Sequence, residues 1–259
     1  MSGWRRASAI VVCGMVVAAC SKGGESSGSG TASTPAAAAV AFPVDTANAA
    51  VITGKVNFTG TKPAPVKIDM AEEATCAAKH AGGAFTETVV VNDNGTLRNV
   101  FVYVKSGLAA NLTFPVPSTP VEIDQNGCTY QPHVFGIQVG QTLNIKNADG
   151  LLHNIKATPT INRPFNVSQP VNMTTARTFS AAEVPVPLQC NVHSWMNAFV
   201  GVRPDPYFSV TGADGAFSIR RLPPGTYVVE AWQEHYPAQT QTVTVGAKET
   251  KDITFTFHS

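Results

Sequence analysis

The chain has 259 residues, 44% hydrophobic and 14% charged, enough for one large or two modest globular units and too polar to be membrane-embedded throughout. Eighteen basic residues against seventeen acidic ones leave a net charge of +1, too balanced for a surface that grips a polyanion. Nucleic acid is therefore not expected as a partner.

In chain order the first element is an export leader. Arg5 and Arg6 precede an apolar run from Ala9 to Ala19 that is too short to span a bilayer comfortably. Val17-Ala18-Ala19-Cys20 resembles the lipobox of bacterial lipoproteins, which implies cleavage before Cys20 and lipidation of that cysteine. An ordinary signal peptide with a chance cysteine is the alternative, and either one exports the chain. Loss of Arg5 and Arg6 with residues 1–19 leaves sixteen basic and seventeen acidic residues, a net charge of −1. Residues 21 to about 42 are mostly Gly, Ser, Thr and Ala and bury too little apolar surface to order themselves, so 20–48 reads as a lipidated cysteine and flexible linker. The expected location is the periplasmic side of a membrane. Ser21, where inner-membrane lipoproteins carry aspartate, favours the outer membrane by family rule.

From Ala49 onward apolar residues recur at every second position, as half-buried strands require. Strands are expected at 50–60, 100–104, 141–145, 184 onward, 198–200, 227–232 and 252–257. Turn signals stand between them at Asn94-Gly95, Asp149-Gly150, Asp214-Gly215 and Pro223-Pro224-Gly225. No long helical period occurs, and the fold class is all-β sandwich. The expected units are an N-terminal β segment at 49–118, a β-sandwich at 119–204 and a second small one at 205–259.

With Cys13 removed and Cys20 lipidated, Cys76, Cys128 and Cys190 remain for the folded part. In an oxidising compartment two of them can pair, and Cys76 with Cys128 is the simpler pairing. The same two cysteines with His80 and His133 also have the spacing of a Cys2His2 metal site.

Cys190-Asn191-Val192-His193-Ser194-Trp195-Met196 places a thiolate, an imidazole and a thioether in one turn between two strands. Sulfur ligands with imidazole select copper, and two imidazoles, one thiolate and a weak axial thioether make a blue-copper centre. The missing imidazole is assigned to His153, just after the strand Thr142 to Lys146, with His133 ranked second. Trp195 either shields the site or packs. The stretch Val139 to Asn147 followed by His153-Asn154 resembles the strand, turn and His-Asn pair of plastocyanins and amicyanins, and the Cys-x-x-His-x-x-Met spacing is that of amicyanin. The resemblance covers roughly 120–205. It implies a Greek-key cupredoxin domain with one mononuclear type 1 copper ion on His153, Cys190, His193 and Met196. It also implies that Asn154 ties the ligand loops together and that a partly exposed His193 edge passes single electrons to a redox protein partner.

One cysteine in the loop excludes a binuclear centre, and no His-x-His pair supports oxygen or nitrite chemistry, so an enzyme is not expected. Residues 208–227, with an Asp-Gly hairpin and a Pro-Pro-Gly-x-Tyr turn, resemble carboxypeptidase regulatory-like β-sandwiches, as does the opening strand Ala50 to Gly60. That resemblance implies a structural or adhesive role and raises one sandwich made from both ends, with the copper domain inserted. Copper handling without a redox partner and a purely structural lipoprotein are the competing functions.

Overall fold

The computed structural model describes residues 45–259 and the two-residue strand Val40–Ala41; the leader, Cys20 and the rest of the linker lie outside the described residues. Val40–Ala41 pairs in parallel with Leu112–Thr113, so the expected linker carries a short strand pairing near its end.

Residues 121–203 form two sheets around one core. The first has the order Thr174–Arg177, Leu143–Asn147, Val121–Gln125, Tyr130–Gln131; the second has Phe165–Gln169, His153–Ala157, Glu183–Gln189, Asn197–Arg203, Val134–Gln138. Strict alternation drives this arrangement: Leu143, Ile145 and Asn147 face inward along one strand, and His153, Ile155 and Ala157 along another. Ile123, Leu143, Ile145, Ile155, Val186, Leu188, Ala198 and Val200 share a core with Cys190 and Met196, so the sulfur groups sit at the end of a dry sandwich interior. Two pairings are parallel, Val121–Gln125 with Leu143–Asn147 and Val134–Gln138 with Asn197–Arg203.

The flanking segments share a second pair of sheets. Ala50–Thr59 lies between Ala216–Leu222 and Thr250–His258, antiparallel to the former and parallel to the latter. Phe101–Ser106 lies between Phe208–Val210 and Gly225–Trp232, with Gln239–Val245 beyond. The chain thus leaves this sandwich, builds 121–203, and returns to complete it. Ile52, Val56, Val102, Phe217, Val229, Phe255 and Phe257 fill its core.

At the junction, Gly136 and Gly201 are register partners. A Cβ on Gly201 would lie 2.3 Å from the Phe101 ring and one on Gly136 2.2 Å from Phe208, so the missing side chains make a flat seat for two rings stacked at 5.5 Å. The described residues also contain a feature that strand periodicity does not announce, the helix Ala74–Ala78. Glu73 caps it by accepting the Thr75 N–H at 3.3 Å, and Cys76 pins it covalently. Among the described residues no helix is long and apolar enough to cross a membrane.

Candidate metal centre

Three sequence-predicted ligands converge. His153 opens its strand, Cys190 follows the strand Glu183–Gln189, and His193 lies in the turn before Asn197–Arg203. Their ligand atoms all lie within 4.8 Å of one another, and the two Nδ1 atoms are 3.0 Å apart. All three side chains are buried, Cys190 at 5% exposure and His193 at 4%.

Local hydrogen bonds shape the ligand turn. The Val192 and His193 N–H groups point at Cys190 Sγ, each at 3.4 Å, while the Cys190 N–H donates to Met196 O and the Met196 N–H to His193 O, each at 3.0 Å. Burial opposes ionisation of the thiol, but His153 and the backbone N–H groups outweigh it and lower the Cys190 pKa. Met196 is 1% exposed and shares the core with Cys190. Asn154 ties the loops as the resemblance implies: its Oδ1 accepts the Asn191 N–H at 3.0 Å and its Nδ2 donates to Val167 O at 3.1 Å.

Behind His153 stands a residue that reads in the sequence only as part of an Asp-Gly turn. Asp149 Oδ2 bonds to His153 Nε2 at 2.9 Å and accepts the Cys128 N–H at 2.7 Å, while Oδ1 accepts from Lys79 Nζ at 2.5 Å and Gly127 N–H at 2.9 Å. Although burial favours the neutral acid, these donors keep the Asp149 pKa low. The carboxylate therefore accepts from His153 Nε2–H and holds the ring with Nδ1 turned toward Cys190 and His193. Tyr130 is also placed here, its hydroxyl donating to Asn154 O and lying beside Cys190; burial and then the thiolate raise its pKa.

Other candidates fall elsewhere. Cys76 and Cys128 form a disulfide, S–S 2.04 Å, which removes both thiols from any Cys2His2 site. It also removes the cluster Cys128, Asp149, His153 as a metal site, despite its spacing. His80 Nε2 bonds to Gly127 O at 2.6 Å. His133 is not at the centre: its Nε2 meets Glu234 at 2.9 Å and its Nδ1 meets Asn197 O at 3.2 Å.

The expected exposed His193 edge is absent: the residue is 4% exposed, segment 66–86 contributes Met70, Cys76 and Ala84 to the core that holds Cys190 and Met196, and Glu73 on that segment acts electrostatically on His193. Trp195 is half-buried, its ring 5.2 Å from that of His193 and its indole N–H donating to Cys128 O at 3.0 Å.

Residues 197–258 match the family model of the carboxypeptidase regulatory-like domain. The match begins within the strand Asn197–Arg203, ahead of the boundary expected at 205. No curated protein matches the chain. Among solved structures it is similar to a purple cupredoxin from Nitrosopumilus maritimus, at 22% identity over 32% of this chain and 98% of that one, with a TM-score of 0.28. A reduced amicyanin variant aligns at 19% identity over 39% of this chain and 98% of its own, TM-score 0.31. A copper-containing nitrite reductase from Thermus scotoductus SA-01 aligns at 19% identity over 39% of this chain, TM-score 0.32; the chain spans about a quarter of that protein, 26%.

Proposed function

We propose that the chain binds one copper ion through His153 Nδ1, Cys190 Sγ and His193 Nδ1, with Met196 supplying the thioether, and carries single electrons between redox proteins. The observation that carries this reading is the convergence of two ring nitrogens and one thiol within 4.8 Å at the buried end of a strand-supported sandwich. The donor set fits the ion: soft sulfur with imidazole, an acidified thiol, and a histidine whose outer nitrogen is already engaged by Asp149. A copper ion held there supplies one-electron chemistry between its two oxidation states.

The residues supply constancy of shape. His153 is fixed by Asp149, Cys190 by two N–H groups from its own turn, and the two loops by Asn154, so the ligands resist rearrangement when the charge between them changes. The chain is on this reading a carrier and not an enzyme. Lipidation at Cys20 and a linker would hold it on the periplasmic side of the outer membrane, and Cys20→Ser should release it from the membrane fraction.

Copper reconstitution with visible spectroscopy and redox titration tests the reading. An intense thiolate-to-copper absorption with reversible one-electron chemistry is expected, and a colourless protein without bound copper refutes it. Burial of His193 favours a second reading, copper holding without a redox partner. Electron exchange with redox proteins from the same compartment, fast for a carrier and absent for a holder, separates the two.

A further inference from the structure

Segment 66–86 is mostly surface. It contains the antiparallel pair Lys67–Ile68 with Ala84–Phe85 and the five-residue helix Ala74–Ala78. Its buried apolar residues, Met70, Cys76 and Ala84, all join the core that holds Cys190 and Met196. A helix of that length and strands of two residues do not hold themselves together in water. The anchors come from elsewhere: the disulfide to Cys128, the Lys79 ion pair with Asp149 and the His80 bond to Gly127 O. All three land on the two turns that support the ligand histidines, since Cys128 also binds Asp149 through its N–H and Trp195 through its carbonyl. A cleft of about 510 Å³ lined wholly by residues of this segment, among them Lys67, Met70, His80 and Ala84, leaves the segment loosely packed within itself.

We propose that 66–86 is a lid over the metal centre, closed in this structure and latched by the Cys76–Cys128 disulfide, so that a reagent or metal donor reaches Cys190 and His193 only when the lid is displaced. The purpose assigned to the lid rests on the copper reading, but its geometry does not. With only Met70, Cys76 and Ala84 of its residues buried, the lid is the first part of this sandwich to open, and the latch limits how far it travels. The latch spans 52 residues of chain, so without it the lid would be tethered only through its own sequence neighbours and its noncovalent contacts.

The test uses the full chain without metal. Modification of the Cys190 thiol by dithiobis(nitrobenzoate) under native conditions is followed in wild type and in Cys76→Ser/Cys128→Ser, with Cys190→Ser identifying the phase. The double variant should react faster by about tenfold or more, with amide exchange rising in 66–86 and not in Glu183–Gln189 or Asn197–Arg203. Equal rates in the two proteins overturn the proposal. Should the double variant lose protection throughout the sheets, Met70→Ala decides, because it removes an apolar anchor and keeps the disulfide: several-fold faster modification supports the lid and an unchanged rate overturns it. No metal is present in either measurement, so failure to bind copper refutes the copper reading and leaves these outcomes standing.

Discussion

Asp149 Oδ2 stands 2.9 Å from His153 Nε2, and neither side chain has any exposed surface. A buried carboxylate behind a ligand imidazole fixes both the tautomer and the ring plane. Asp149→Asn keeps the size, removes the charge and leaves Lys79 without its partner. Copper affinity, measured by competition with a chelator, should fall about 10–100-fold, while the absorption band persists at saturating metal. Unchanged affinity would reduce Asp149 to a turn residue.

Ligand choice is tested by colour. Cys190→Ser and His153→Ala should abolish the visible band, whereas His133→Ala should retain it, because His133 is engaged by Glu234 and the Asn197 carbonyl, away from the thiol. Loss in His133→Ala with retention in His153→Ala would reverse the assignment.

The Glu183 carboxylate accepts from the backbone N–H groups of Thr160, Ile161 and Asn162 and from the Thr160 and Asn162 side chains, clasping that loop to its strand. Its pKa is lowered from 4.5 to about 2, these donors overcoming the cost of burial. The associated stability is fully present above 4.5 and is lost as pH falls through about 2. Glu183→Gln should cost about 3 kcal/mol near neutrality and flatten the acid limb of urea-unfolding free energy. An acid limb identical to wild type would show that other carboxylates dominate it.

His133 lies across the junction from Glu234. Burial opposes its protonation, yet Glu234, then Glu87 and the Asn197 carbonyl, raise its pKa above 6.5. Its contribution is therefore complete below pH 6.5 and fades as pH rises through the folded value. Arg98 and Asp124 are the other charged groups lining the adjoining cleft with Glu87. Urea midpoints should fall on the alkaline side, and His133→Gln should remove that slope; a slope kept in the variant assigns it to other groups.

Gly201→Ala would drive a methyl to 2.3 Å from the Phe101 ring. Because ring and strand are both packed, the unfolding free energy should drop by about 1–3 kcal/mol, whereas Gly150→Ala, open on that side, should change little. Equal effects would mean that the junction yields freely.

The all-β class and the ligand turn were legible because both are local. Alternation marks the strands, and Cys190, His193 and Met196 fall within one turn. His153 was reachable because it follows a strand and turn of recognisable pattern. Asp149 was hidden by its neighbour Gly150, since Asp-Gly reads as a turn whatever the carboxylate does. Lys79, the helix Ala74–Ala78 and the burial of His193 depend on a segment more than a hundred residues upstream of the ligand turn, a distance over which periodicity carries no information. The Gly136 and Gly201 pair was likewise invisible, because a glycine needed for a ring from another sheet looks like any glycine in a strand.

The parallel pairing of Ala50–Thr59 with Thr250–His258 also sets an order of events during synthesis. Both neighbours of this early strand lie beyond residue 215, whereas 121–203 contains every strand of its own two sheets. The inner unit can thus complete its sheets while Ala50–Thr59 and Phe101–Ser106 wait with open edges, and closure of the outer sandwich is the slow, high-contact-order step. During that interval the apolar sequence of the waiting strands is the chain's main exposure to aggregation and to the chaperones that prevent it.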